Sequence, residues 1–230
     1  MTALPPQRWI GWGHESDPEV WTHEVMGGET QYWLGNTLLV GGVYEPGKST
    51  ARMYLPRGSP EDDGYINLNA PHQHIPAGQW VDIKSEWKDS IPLLARIGGA
   101  IVVGKDIQTR SPGDTRFPSA NVVEDDYRAI EIFPPVGTSP KTYSNTWYED
   151  DGISTNPEIS VFRVTYRSTE TQVMVGIDMG RDLNKYAPLW KSLDIILPVG
   201  DHRLVVLGDA EVVCAKKEQN RGREVYALPV

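Results

Sequence analysis

Ser160-Val161-Phe162-Arg163-Val164-Thr165-Tyr166 alternates strictly between apolar and polar positions. On an extended chain Phe162, Val164 and Tyr166 share one face, and Arg163 and Thr165 share the other. A period of two predicts a half-buried antiparallel strand. The same texture runs outward in both directions. Short apolar runs alternate with Gly, Pro, Asp and Asn punctuation from Leu38 onward, which predicts strands over 38–43, 52–55, 80–83, 92–96, 100–103, 128–133, 146–148, 160–166, 172–177, 193–197, 203–207, 211–214 and 224–228. So many short strands with so little helix predict an all-β chain built as two antiparallel β-sandwiches.

One region reads differently. Ser16-Asp17-Pro18-Glu19 supplies an N-cap, a first-turn proline and an acid near the positive helix end. A helix is expected through Val20, Trp21 and Val25, broken at Gly27-Gly28. A second short helical piece is expected over 30–34, stopped by Gly35. Trp9, Trp12, Trp21 and Trp33, half of the eight tryptophans, fall in this opening stretch. Gly98-Gly99, between two apolar runs, reads as a bulge or close backbone approach. Two polar stretches, 57–78 and 108–126, read as long loops, and the second reads as a boundary between two β units.

Composition narrows the function classes. The chain has 230 residues, 39% of them hydrophobic, which is ample for a buried core. Its 22 basic residues against 31 acidic ones give a net charge of -9. That balance disfavours a nucleic-acid partner, which requires clustered Lys and Arg. The lone Cys214 excludes a disulfide framework and a Cys-based zinc site. No apolar run approaches the ~20 residues that span a bilayer as a helix, so no membrane partner is expected. The opening Met-Thr-Ala-Leu-Pro-Pro-Gln-Arg-Trp does not read as a secretory signal, and no compartment is indicated.

Candidate chemistry is sparse. The acidic runs Asp62-Asp63, Glu124-Asp125-Asp126 and Glu149-Asp150-Asp151 sit beside Gly or Pro. They read as solvated turns before they read as paired catalytic carboxylates. His72-Gln73-His74 has the spacing of paired metal ligands on a strand, but the flanking prolines favour a loop. His14, His23 and His202 stand alone. Cys214 lies in an apolar run and reads as a small buried hydrophobe. Trp80, Trp87, Trp147 and Trp190 are the rings that could form a flat sugar-stacking platform, with Trp80 and Trp147 reading as strand-buried.

Several motifs together resemble the C-terminal part of family-31 glycoside hydrolases, the α-glucosidase and α-xylosidase family. Gly35-Asn36-Thr37-Leu38-Leu39-Val40 resembles the family's G-D-S-L-L-V strand. Glu45-Pro46-Gly47 followed by Arg52-Met53-Tyr54-Leu55-Pro56 resembles its Y-L-P strand, and Gly78-Gln79-Trp80-Val81-Asp82 its W-x-D segment. Ile91-Pro92-Leu93-Leu94-Ala95-Arg96-Ile97-Gly98-Gly99-Ala100-Ile101 is similar to I-P-L-F-V-R-G-G-S-I. Tyr148-Glu149-Asp150-Asp151-Gly152 matches Y-E-D-D-G. Arg8-Trp9-Ile10-Gly11-Trp12 resembles, with changes, the family's last barrel strand.

The resemblance implies three parts. Residues 1–34 would be a remnant of the last strand and helix of a catalytic β/α barrel. Residues 35–125 would be a proximal β-sandwich and 126–230 a distal one. It implies an α-linked oligosaccharide as substrate of the intact enzyme, hydrolysis with retention, and packing against a barrel absent from this chain. The longer 21–31 segment and the 57–78 loop depart from the family pattern. The family's catalytic aspartates belong upstream. Ile177-Asp178-Met179-Gly180 is a partial look-alike of the nucleophile motif and lacks its Trp and Glu. No catalytic, cofactor-binding or metal-binding residue is therefore assigned, and no cofactor is expected. The expected role is an accessory region, inactive alone, with its early tryptophans exposed. The rivals are a free-standing carbohydrate-binding sandwich and a metal-dependent jelly roll using His72 and His74.

Overall fold

The computed structural model describes residues 4–26, 30–43, 46–58, 63–85, 90–104, 126–152, 154–179, 185–208, 212–217 and 222–229. The chain divides into two compact units, one formed by Met1–Gly99 with Pro198–Asp201 and the other by Ala100–Leu197 with His202–Val230.

The first unit holds β1 (Gln7–Arg8), β2 (Gln31–Leu34), β3 (Leu38–Gly41), β4 (Thr50–Leu55), β5 (Tyr65–Asn67), β6 (His74–Ile75), β7 (Gln79–Lys84) and β8 (Leu93–Arg96). Its larger sheet runs β1-β2-β3-β8-β5-β6 with every pair antiparallel. β4 and β7 form a separate antiparallel ribbon. One core joins them. Trp33, Leu39, Tyr65 and Leu94 come from the sheet, and Ala51, Met53, Leu55 and Ile83 from the ribbon. Ile10, Val20 and Val25, from the segment between β1 and β2, complete it.

Three expectations are corrected here. Residues 31–34 form strand β2, not helix, because Gln31 and Trp33 alternate inward with Tyr32 and Leu34 in register with β3. Gly35 therefore serves the β2–β3 hairpin rather than ending a helix. The helix after Asp17 shrinks to a 3-10 turn, Pro18–Trp21, followed by the short α1 (His23–Met26). Thr22 between them has extended backbone (ψ 152°), which interrupts the hydrogen-bond ladder. The 57–78 stretch contains β5 and β6, and Tyr65 and Ile66 are fully buried there. Gly98-Gly99 is a close backbone approach as expected. Gly98 has φ +88°, and a Cβ on Gly99 would lie 2.5 Å from the Thr37 side chain.

The second unit holds β9 (Ala100–Gly104), β10 (Tyr127–Ile132), β11 (Tyr143–Glu149), β12 (Ser160–Ser168), β13 (Gln172–Met179), β14 (Ser192–Ile196), β15 (Leu204–Leu207), β16 (Val212–Val213), β17 (Ala215–Lys216) and β18 (Val225–Ala227). They form two five-stranded sheets, β17-β18-β14-β10-β9 and β11-β12-β13-β15-β16. Phe162, Val164 and Tyr166 face inward on β12, as the alternation predicts. With Trp147, Val173, Val175 and Val205 they meet Ile130, Ile132, Leu193, Ile195, Tyr226 and Leu228 of the other sheet. This is a β-sandwich core. The sheets are mixed rather than purely antiparallel, because β10 pairs parallel with β14 and β13 parallel with β15. A chain that leaves one sheet for the other and returns comes back in the same direction.

The sequence-based boundary at 125 lies at the end of 105–125, which is outside the described residues. The compact units divide at Gly99 and Ala100, because β9 pairs along its whole length with β10. Among the described residues, no helix is long and apolar enough to cross a membrane.

Candidate functional site

The segment between β1 and β2 is the most distinctive feature of the first unit. Successive turns shape it: Trp12 N–H donates to Trp9 O, His14 N–H to Gly11 O and Asp17 N–H to His14 O, at 2.9–3.0 Å. Asp17, only 8% exposed, fixes the segment at its centre. Its Oδ1 accepts from Glu19 N–H at 3.1 Å and caps the 3-10 turn. Its Oδ2 accepts from the Tyr54 hydroxyl at 2.7 Å and from Arg57 N–H at 2.9 Å. Burial, reinforced by the Asp17 carboxylate, pushes the Tyr54 hydroxyl pKa well above the ordinary tyrosine range. The phenol thus stays a hydrogen-bond donor. Glu19 Oε1 accepts from Trp80 Nε1–H at 3.0 Å, and the Arg52 guanidinium lies 4.8 Å from the Trp80 ring centre. Asp17 and Glu19 therefore work as anchors onto β4 and β7.

The four early tryptophans divide between the two sides of the segment. Trp33 is buried, donates Nε1–H to Ile10 O at 2.7 Å, and stacks on His14 at 5.3 Å. Trp9 is half-buried and tilted against Trp21, with ring centres 5.0 Å apart. Trp12 and Trp21 are 45% and 52% exposed. Trp21 Nε1–H is satisfied by Glu15 O at 3.0 Å, so what it presents outward is apolar ring. Leu4, Met26 and Leu34 are exposed as well. The expected exposure therefore holds for Trp12 and Trp21, holds partly for Trp9 and fails for Trp33, which the unit's own core covers.

The remaining sequence candidates do not converge. His72 is buried, its Nδ1 3.7 Å from Asp201 Oδ2, whereas His74 is exposed with Nε2 at 2.7 Å from Asp63 O. Among the described residues, no three His, Cys, Asp or Glu side chains gather as metal ligands. Trp147 is buried and stacked on Phe162 at 5.0 Å, and Trp190 tilts against the same ring at 5.5 Å. Trp80 is half-buried against Tyr54. These three rings do not form one flat exposed platform. Trp87, Asp62, Glu124 and Asp125 lie outside the described residues.

Glu149 is buried and held bidentately by Arg128, with Nε–Oε1 and Nη2–Oε2 both at 3.0 Å. Trp147 Nε1–H adds a third contact at 3.2 Å. Asp150 and Asp151 accept from Gly152 N–H and Ser154 N–H and form a turn. Asp178 is exposed on β13, opposite Arg163. Burial pushes the Cys214 thiol pKa up, so the inert thiol form is favoured. His23 is exposed, and His202 Nδ1 lies 2.8 Å from Glu224 Oε1. Sequence reasoning found the Asp17 cap but not its partners. Nothing in the spacing announces a contact with Tyr54 and Arg57.

Comparison with known proteins places this geometry. A 1,3-α-isomaltosidase from Kribbella flavida is 33% identical over 95 residues, covering 36% of this chain and 12% of that enzyme. The fold resembles a GH31 dextranase from Flavobacterium johnsoniae, solved with isomaltotriose, at a TM-score of 0.61 and 18% identity. It also resembles a GH31 α-xylosidase from Xanthomonas citri, at 0.59 and 16%. Those likenesses cover 98% and 97% of this chain but only 28% and 22% of the enzymes. The chain thus spans about an eighth of the curated relative and about a quarter of the solved ones. Residues 3–102 match the glycosyl hydrolase family 31 C-terminal domain, nearly the whole continuous part of the first unit. Over that stretch the chain matches the family-31 glycosyl hydrolase C-terminal domain, and the proteins it is similar to are enzymes of that family.

Proposed function

We propose that this chain is the accessory β region of a retaining, α-glucosidase-like hydrolase, and that its first unit packs against a catalytic β/α barrel. The carrying observation is the anchored segment between β1 and β2. Asp17 and Glu19 tie it to Tyr54 of β4 and Trp80 of β7, and Trp12, Trp21 and Met26, with Leu34 at the end of β2, are exposed. A barrel surface would cover those side chains. On this reading residues 1–34 stand where the last barrel strand and helix lead into the proximal sandwich, and residues 126–230 belong to the distal one. The intact enzyme would cleave α-linked oligosaccharides, and this chain alone would not.

The test is turnover of 4-nitrophenyl α-glucoside and α-xyloside by the purified chain. No rate above the uncatalysed one is expected. Turnover abolished by a single carboxylate substitution would overturn the proposal. A second measurement addresses the surface itself. Trp12→Ser with Trp21→Ser is expected to lower binding of the dye ANS and self-association, at a cost in stability of about 1–2 kcal/mol because Trp21 also packs on Trp9 and bonds Glu15 O. Unchanged dye binding would mean that these rings do not form the sticky surface.

A further inference from the structure

We propose that the outward face of the sheet β11-β12-β13-β15-β16 carries an accessory site for the carboxylate of an acidic sugar, with Arg167 as its anion-binding group. The choice of a sugar as carrier rests on the function proposed above. The choice of a carboxylate rests on the groove.

The groove has a volume of about 310 Å³ and is lined by Thr142, Thr165, Arg167, Met174, Gly176 and Gly208, among others. Among the described residues, Arg167 is the one charged residue of the lining, and no carboxylate is part of it. That is unusual ground in a chain of net charge -9. Thr165 and Arg167 are two apart on β12, so both side chains stand on the outer face about 7 Å apart along the strand. Arg163, further along the same face, has Asp178 directly across from it on β13. Arg167 has Met174 across from it, and it makes no hydrogen bond or ion pair among the described residues. Its planar fork of donors is free to take both oxygens of a carboxylate.

Gly176 shapes the floor. It lies within β13 without a left-handed backbone, so its bareness is a matter of space rather than conformation. A Cβ there would sit 2.7 Å from Thr165 Oγ1, and that hydroxyl donates to Gly176 O at 3.4 Å, a long and weak bond. Thr165 can therefore turn its hydroxyl to a ligand. Thr142 offers a second hydroxyl at the rim. One guanidinium and two hydroxyls in a solvent-open groove suit a weak ligand, with affinity of about 1 mM.

The test is an amide NMR titration of the whole chain with a disaccharide ending in glucuronic acid. Maltose is the neutral match, and acetate and inorganic phosphate are the bare anions. Saturable shifts are expected at Thr165, Gly176 and Gly208, weaker at high salt and absent with maltose. Arg167→Gln is expected to weaken binding about tenfold, with the rest of the spectrum unchanged, since the side chain is exposed. Thr165→Val is expected to weaken it less. Equal shifts with maltose, undiminished binding by Arg167→Gln, or no saturable shift would overturn the site. Acetate or phosphate binding as tightly as the disaccharide would overturn the sugar assignment. The turnover and dye measurements concern other features of the chain, so either proposal can fail alone.

Discussion

Arg128→Met is expected to destabilise the second unit by about 3–5 kcal/mol, because it leaves the Glu149 carboxylate buried without its cation. Both side chains are largely out of water, at 15% and 8% exposure. The two 3.0 Å contacts make a fork-to-fork pair, and the remaining Trp147 donor cannot neutralise a charge. The pair itself need not contribute much net stability, since its attraction offsets desolvation of both partners. Arg128→Met with Glu149→Met is therefore expected to recover most of the loss. Hydrogen exchange of β10 and β11 amides in the three variants reads the effect on this unit alone. A single variant as well protected as the parent would show that the carboxylate escapes to water.

Trp33→Ala is the second large effect, expected to cost the first unit about 3–5 kcal/mol. The ring is 3% exposed, stacks on His14 and lies 6.1 Å from Tyr65. Its truncation leaves a cavity between the larger sheet and the ribbon, and it removes the donor to Ile10 O. The loss should also be seen at a distance along the chain. Residues 9–17 are turned around Ile10 and His14, so their amides should exchange faster than those of β4 and β7 in the same variant. Trp33→Phe is expected to lose less, keeping ring packing but not the hydrogen bond. Uniform loss of protection across the unit would instead make the segment part of one cooperative core.

The β architecture was legible because alternation is a local signal. All thirteen strands expected from apolar runs have counterparts, from Leu38–Gly41 to Val225–Ala227. What was missed lacked that signal. β2 is four residues long and follows a capped turn, so its Gln31 and Trp33 period was too short to outweigh helical neighbours. Gly35 serves a hairpin as readily as a helix end. β5 and β6 offer three and two residues among Asp, Gly, Asn and Pro, and only pairing with β8 identifies β5 as sheet. The anchoring of the early segment was invisible for a different reason. Asp17 meets Tyr54 and Arg57, and Glu19 meets Trp80, through tertiary contacts that no periodicity encodes. The tryptophan cluster was visible as composition, but which rings face out is decided by that anchoring.

Pro198–Asp201 belongs to the first unit although it follows β14 in the chain. His72 N–H donates to Val199 O at 2.6 Å, and its ring lies 3.7 Å from the buried Asp201 carboxylate. On the ribosome, β1 to β8 emerge long before this turn exists. Domains tend to fold as they are made, N-terminal first. Here the earlier unit must wait, with the buried place of Asp201 unfilled, until six strands of the next one have been synthesised. Its last native contacts are thus timed by the translation of its neighbour.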